Sequence, residues 1–234
     1  QDYISDMVQA FPFQVTAHRR PGILQMKTTL GEVKHQSWNK GMVIDHDLEK
    51  VHPWLYSTYL IEDDIKVSFT PSKKSAIYKV DFPKGKQKNF LIKGTKDMQF
   101  SEGKNTFTIQ EKRSKSTKGE HAIINTITVY VYGEIVDGNN KPIDNISYIF
   151  NANKLQITAD KTTPATLYIK YAISYVSATQ AKENFKKELK NKSFDGISEE
   201  GKKAWDNVTN QIQVEGGTTA QKRTFYTSLY RTYE

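Results

Sequence analysis

The sequence contains no cysteine, so disulfides, thiolate metal sites and a cysteine nucleophile are excluded. The compartment stays open, because many exported bacterial proteins also lack cysteine. No run approaches eighteen apolar residues, and no membrane span is expected. No stretch near the start joins a basic segment to an apolar one, so a signal peptide is expected to be absent or already removed. Arginine is scarce. Arg19, Arg20, Arg113, Arg223 and Arg231 are outnumbered by lysine in a total of 34 basic against 26 acidic residues, for a net charge of +8. Specific nucleic-acid contacts lean on the guanidinium fork. The lysines lie scattered over strand edges and turns, which reads as a solvated surface with no nucleic-acid partner. Nucleotide and nucleophile signatures are missing too: there is no GxGxxG, no Walker A pattern and no GxSxG.

Aromatic residues are abundant, with 13 Tyr and 11 Phe in 234 residues, far too many for a disordered chain. From about residue 11 to 176 the dominant period is two. DDIKVSFT sets Ile65, Val67 and Phe69 against Lys66, Ser68 and Thr70. INTITVYVYGEIV sets Ile127, Val129 and Val131 against Thr126, Thr128, Tyr130 and Tyr132. TLYIKYAISYV puts Leu167, Ile169, Tyr171, Ile173 and Tyr175 on one side. Such alternation predicts strands with one side on a core and one in water. Turn chemistry separates them, as in VDGNNKPID over 136–144 and FPKGKQK over 82–88, while EKRSKSTKGEH over 111–121 reads as a charged loop. Roughly ten to twelve strands, some over ten residues long, predict a mainly β chain built as a large two-sheet antiparallel β-sandwich.

Near Ser177 the period changes, predicting C-terminal connecting helices. Ala181, Phe185 and Leu189 fall four apart. Ser198 is the expected cap of the next helix, with Ala204, Trp205, Val208 and Ile212 as its apolar stripe and Gly216-Gly217 as its stop. Thr218 and Thr219 offer caps for a last helix, where Phe225, Leu229 and Tyr233 share one side beside Tyr226 and Tyr230. The plan is therefore a β domain over 1–176, a helical linker over 177–216 and one more helix over 217–234. Burying that last face is worth about 1.5–3 kcal/mol for each large apolar side chain. An exposed face of this size exceeds what a monomer usually shows. The helix is expected to fold back on the sandwich or dock on a neighbouring molecule.

Candidate chemistry is sparse. IDHDLEKVHP gathers Asp45, His46, Asp47, Glu49 and His52, but without HExxH spacing or a glycine-containing calcium loop. Read as an extended strand, it puts Asp45, Asp47 and Glu49 on one side and His46 on the other; read as a polar loop, it leads into WLYSTYLIE. Asp63-Asp64 reads as a turn and Glu199-Glu200 as a first helical turn, neither converging for glycosidic acid–base work. Trp38 and Trp54 flank loops, where an indole can stack on a sugar ring, although Trp54 also suits a strand start facing the core. Trp205 reads as helix packing. The triplets at Asn145, Asn191 and Asn207 match glycosylation acceptors, which arise often by chance.

VEGGTTAQKRTFYTSLYRTYE over 214–234 resembles the domain junction of glycoside hydrolase family 92, on Gly216, Gly217, Thr218, Gln221, Lys222, Phe225, Tyr226, Thr227, Leu229 and Tyr230. KKAWDNVTNQIQVEGG resembles the helix before that junction, and AISYVSATQAKENF the end of the family's sandwich. GMVIDHDLEKVHPWLYSTYLIEDD is similar to the family's histidine-containing loop and Pro-x-x-Tyr-Ser strand, with HRRPGILQMKTTLGEV a weaker match before it. The resemblance implies a galactose-mutarotase-like sandwich that hands over to an α-helical catalytic barrel, of which 217–234 is the first helix. It implies a fragment of a calcium-dependent, inverting exo-α-mannosidase, exported to the periplasm or cell surface, whose acid, base and calcium ligands lie in the missing barrel. No catalytic or metal residue and no cofactor is carried over to this chain, and the fragment alone is expected to be inactive. Its implied partners are the remaining catalytic domain and mannose-containing glycans. His46 and Glu49 fall in a family-like stretch, either at the cleft or bracing the two domains. Trp205, Phe225, Tyr226, Leu229, Tyr230 and Tyr233 make the implied domain interface. The alternative is a stand-alone carbohydrate-binding sandwich using Trp38 and Trp54.

Overall fold

A computed structural model describes residues 5–15, 22–103, 105–116 and 124–233, without the side chains of 115, 116, 124 and 125. His18, Arg19, Arg20, His121 and the 117–121 part of the expected charged loop lie outside these residues. The strands are β1 (Met7–Val8), β2 (Phe11–Gln14), β3 (Ile23–Leu30), β4 (Met42–Val43), β5 (Lys50–His52), β6 (Leu55–Leu60), β7 (Ile65–Pro71) and β8 (Ser75–Asp81). They continue with β9 (Lys88–Lys93), β10 (Met98–Gly103), β11 (Thr106–Ser116), β12 (Ile124–Val136), β13 (Ile146–Asn151), β14 (Lys154–Ala159) and β15 (Thr166–Ser174). Helices α1 (Ala178–Glu188), α2 (Phe194–Thr209) and α3 (Thr219–Arg231) follow. The strands beyond the expected number are mostly two- or three-residue pieces, β1, β4 and β5, too short to carry a visible alternation.

Two antiparallel sheets stack face to face. The larger runs β10-β11-β12-β15-β8-β7-β6-β5, and the smaller β13-β14-β9-β3-β2. Val67, Val80, Val131, Leu167 and Ile169 of the larger sheet meet Met26, Phe90, Ile92, Leu155 and Ile157 of the smaller in one core. Two buried tyrosines tie the sheets together through their hydroxyls: Tyr78 donates to the Pro12 carbonyl and Tyr171 to that of Phe13, each at 2.6 Å. Buried rings of this kind supply large apolar area, and the hydroxyl keeps a partner. In β12, Gly133 pairs with Phe107 of β11 and leaves room for its ring, since a Cβ there would lie 2.3 Å from it.

The expectation of one wet side fails for the larger sheet. Its outer face carries a second core in which Ile77 and Ala172 pack on Phe185, Leu189, Phe194 and Ile197. Helix α1 lies on β12 and β15, and α2 on β7 and β8. The polar residues Ser68 and Thr70 of β7 are accordingly buried. On α1, Ser177 accepts from the Gln180 amide as N-cap, and Ala181, Phe185 and Leu189 are buried.

Three further expectations are corrected. The supposed loop over 111–121 is strand as far as Ser116, paired residue by residue with β12. Helix α2 is capped by Ser193, not Ser198, so the acidic pair Glu199-Glu200 falls inside it. It also ends at Thr209 with Asn210 as C-cap; Gly216 and Gly217, at φ of 75° and 70°, shape the entry into α3 instead. The glycines adopt a left-handed backbone that side chains resist. Thr218 and Gln221 then close a reciprocal capping box, at 2.8 and 3.2 Å.

Not all lysines are solvated either. Lys88 and Lys170 are buried among backbone acceptors. The Lys170 ammonium donates to the Leu189 carbonyl at 2.7 Å, to that of Lys192 at 2.9 Å and to Asn140 Oδ1 at 3.2 Å. It thereby satisfies carbonyls left over where α1 ends, with a cation at the favourable end of the helix. Burial lowers its pKa from the ordinary lysine value.

Candidate functional site

His46 and Glu49 are brought together by a tight turn. Asp45 accepts from the Asp47 amide at 2.9 Å and starts a single 3₁₀ turn over His46–Leu48. The extended reading of this stretch, with His46 opposed to Glu49, is thereby corrected: the Asx-type bond folds the backbone so that positions three apart face each other. His46 Nδ1 lies 2.5 Å from Glu49 Oε2, and the Tyr56 hydroxyl of β6 donates to the other carboxylate oxygen. His46 Nε2 lies 3.2 Å from the Ser5 carbonyl. The hydrogen bond to Glu49 raises the pKa of His46 above its ordinary value, as the carboxylate favours the imidazolium. Burial raises that of Tyr56, with Glu49 adding to it. The arrangement clasps the β4–β5 connection to β6 and to the segment before β1. Tyr56 was absent from the expected set, although it stands in the family-like Tyr-Ser pair.

The two tryptophans are not brought to a common surface. Trp38 ends a 3₁₀ turn (His35–Trp38), with the Lys154 ammonium of β14 5.3 Å above its ring. Trp54 lies in the β5–β6 turn, stacked on His52 with centroids 5.1 Å apart and planes 9° apart. Its carbonyl accepts from Thr70 Oγ1 at 2.9 Å, and Gly201 of α2 packs so close that a Cβ would sit 2.9 Å from the Trp54 Cβ. Trp54 thus faces a helix, not the inter-sheet core.

Among the interface residues, Trp205 of α2 meets Tyr230 of α3, with ring centroids 5.0 Å apart. Phe225 meets Tyr226 edge-on at 5.3 Å, and the Tyr226 hydroxyl donates to the Ile212 carbonyl at 3.3 Å. Leu229 is half-buried, and Phe225 and Tyr233 stay 36% and 49% exposed. No residue of α3 is buried. The helix leans on α2 and does not fold back on the sandwich, because α1 and the first turn of α2 already occupy the outer sheet face.

A further constellation went unread because its segment was taken for loop. Glu111 is fully buried, continuing the inward side of β11 set by Phe107 and Ile109. One oxygen accepts from the Leu24 amide at 3.1 Å; the other accepts from the Thr95 amide at 3.0 Å and from the Arg113 guanidinium at 3.2 Å. Arg113 also donates to the Gly22 carbonyl at 2.6 Å. Arg113 also lies on the lining of a cavity of about 1440 Å³, with Gln14, Ile23 and Lys93. The signal was available, since Phe107, Ile109 and Glu111 keep period two.

Among the described residues, no three His, Asp or Glu side chains converge in a way that would hold a metal ion.

A family model described as the glycosyl hydrolase family 92 N-terminal domain matches residues 16–187. A second, described as the glycosyl hydrolase family 92 catalytic domain, matches residues 180–234. Among solved structures, the chain is similar to a family GH92 inverting mannosidase from Bacteroides thetaiotaomicron, at 22% identity and a TM-score of 0.73, over 89% of this chain and 29% of that one. It is also similar to a family GH92 α-mannosidase from the same organism, at 19% identity and a TM-score of 0.70, over 90% of this chain and 31% of that one. The GH92 family glycosyl hydrolase ccman5 aligns at 16% identity and a TM-score of 0.76, over 98% of this chain and 35% of that one. The likeness is one of fold, and the chain spans about three tenths of the length of the first of these structures. No curated protein gives a match.

Proposed function

The chain belongs to glycosyl hydrolase family 92, and from that premise we propose that it is the non-catalytic sandwich of an inverting α-mannosidase, joined to the opening helices of the catalytic barrel. The supporting observation is α3: it lies within the stretch matched by the catalytic-domain model, and it holds Phe225 and Leu229 on a helix with no buried residue, with Tyr233 just past its end. The rest of the barrel is the surface that would cover this face.

In an inverting glycosidase one carboxylic acid protonates the leaving oxygen and a second carboxylate activates water on the opposite side of the sugar. We assign neither role to this chain; Glu49 and Glu111, the carboxylates of the two clusters described above, are engaged in holding backbone, imidazole and guanidinium groups. Calcium, as an activating ion, belongs on this reading with the barrel's residues. The sandwich would contribute a rigid wall to the cleft, with the His46–Glu49–Tyr56 clasp setting the position of the loop before β5.

The test is turnover. The purified chain, with calcium supplied, is expected to release no mannose from aryl α-mannosides or manno-oligosaccharides. Turnover that copurifies with the chain, and is absent from a mock purification, would overturn the non-catalytic assignment.

A further inference from the structure

The outward side of β10, β11 and β12 carries a patch without charge. Pairing sets Gln99 of β10 beside Gln110 of β11, and Gln110 beside Tyr130 of β12. The next row on the same side is Ser101, Thr108 and Tyr132. These positions alternate with the inward set Phe100, Ile109 and Val131, so they share one sheet face. Thr128, beside Lys112, marks one end of the patch, and Glu134, beside Thr106, marks the other. The chain has 34 basic and 26 acidic residues, and outward strand positions elsewhere are charged. Lys66 pairs with Asp81 across β7 and β8, and Lys93 with Lys154 across β9 and β14.

The polar groups of this patch have no protein partners. Among the described residues, the side chains of Gln99, Ser101, Thr108, Gln110 and Tyr130 make no hydrogen bond, and the Tyr130 ring meets no other ring. Gln99 and Ser101 are exposed, while Thr108, Gln110 and Tyr130 are half-buried. Helix α1 rests on β12 and β15 and raises a wall along one side. There Phe185 meets the Tyr132 ring edge-on at 5.1 Å, and the Lys182 ammonium lies 5.6 Å above that ring. Helix α2 lies farther off, on β7 and β8. Three strands and three rows make a shelf roughly 10 Å across and roughly 14 Å along, room for a di- or trisaccharide.

A shelf without cations does not attract a phosphate chain, and one tyrosine does not supply the run of stacking platforms that single-stranded nucleic acid uses. Amides and hydroxyls both donate and accept, as sugar hydroxyls do. An amphipathic ring such as that of tyrosine takes the apolar CH side of a sugar. We infer that this shelf binds an uncharged oligosaccharide, one sugar ring stacked on Tyr130 and the hydroxyls of its neighbours paired with Gln99, Ser101, Thr108 and Gln110. The choice of a mannose-containing chain rests on the glycan reading above; the neutral, unpartnered groups belong to the shelf alone.

NMR titration of the isotope-labelled chain tests it with three probes: a manno-oligosaccharide, a cello-oligosaccharide and single-stranded DNA. The manno-oligosaccharide is expected to shift the amides of β10, β11 and β12 ahead of all others. The double variant Q99A/Q110A and the single variant Tyr130→Leu should keep the fold, as circular dichroism will check. Each should lose about tenfold in affinity for the sugar. Shifts of the same amides by the cello-oligosaccharide, with none from the manno-oligosaccharide, would support the shelf and refute mannose as its sugar. Manno-oligosaccharide shifts centred on Trp38 would overturn the shelf and leave the glycan reading standing. DNA binding at these amides as tightly as the sugar overturns the choice of a saccharide. Self-association of the chain that Q99A/Q110A abolishes also overturns it, because the shelf would then seat a second copy. Silence of β10, β11 and β12 with both sugars, or unchanged affinity in both variants, overturns the proposal.

Discussion

The carboxylate of Glu111, on β11 of the larger sheet, accepts a hydrogen bond from the backbone amide of Leu24, on β3 of the smaller, at 3.1 Å. Both residues are fully buried, and Leu24 holds a left-handed φ of 42° that a branched side chain seldom adopts. The bond therefore crosses the sandwich and secures a strained strand start. Glu111→Ala is expected to destabilise the chain by about 3–5 kcal/mol, because it strands two amides and the Arg113 charge. Urea unfolding measures the loss, and Glu111→Gln should lose less. Wild-type stability in E111A would refute the role.

His46 carries a pH dependence whose direction follows from Glu49. Its folded pKa is raised above the ordinary 6.5 by that hydrogen bond, with Asp6 adding attraction and desolvation opposing. A group raised on folding contributes its stabilisation fully below the unfolded pKa and loses it as pH rises through the folded one. The clasp should therefore weaken from about pH 6.5 upward. An NMR titration of the His46 ring is expected to report the raised value, and Glu49→Gln to return it toward the ordinary one. An unchanged midpoint in E49Q would remove Glu49 as the cause.

Gly133 tests the packing of the two long strands. A methyl group there would lie 2.3 Å from the Phe107 ring, so Gly133→Ala should cost about 1–3 kcal/mol by overpacking. The companion change Phe107→Leu, combined with it, should recover part of the loss in a double-mutant cycle of urea melts. Strict additivity would show that the two sites do not touch.

Lys170 is the buried cation that joins the sheet to the α1–α2 connection. Lys170→Met keeps most of the side-chain volume but leaves the Leu189 and Lys192 carbonyls without their ammonium, at a cost of about 1–3 kcal/mol. Hydrogen exchange should rise over the last turn of α1 before it rises in β15. Uniform change throughout the chain would point to a global effect instead.

Trp205 is the aromatic of α2 on which α3 leans through Tyr230. Trp205→Ala should speed proteolysis between residues 210 and 218 severalfold while leaving the melting of the sandwich unchanged, because no residue of α3 is buried. Protection equal to that of the parent chain would show that α3 is held by other contacts.

Much of the sandwich was legible because its physics is local. A strand half-buried on one core repeats every two residues, and Ile65, Val67 and Phe69 display that repeat without any partner being known. Ser177, Ala181, Phe185 and Leu189 likewise announce α1 through a cap and a four-residue spacing. The clasp was half visible: the sequence stretch drew attention to His46 and Glu49, but an extended reading set them apart. Only the Asp45 cap folds them together, and Tyr56 joins from the neighbouring strand.

By itself, then, the sequence determined the periodicity, the caps of α1 and α3, and the family likeness, since each depends on residues a few positions apart. Tertiary structure alone decided which faces are wet, which lysines are buried and which carboxylates are paired across the sheets. Ser68 and Thr70 look solvent-facing until α2 covers them, and Lys170 looks like any surface lysine until the carbonyls ending α1 surround it. Glu111 of β11 reaches the Leu24 amide of β3 through pairings between strands remote in the chain. Burial and field are sums over such distant neighbours, and no local pattern of residue types encodes them.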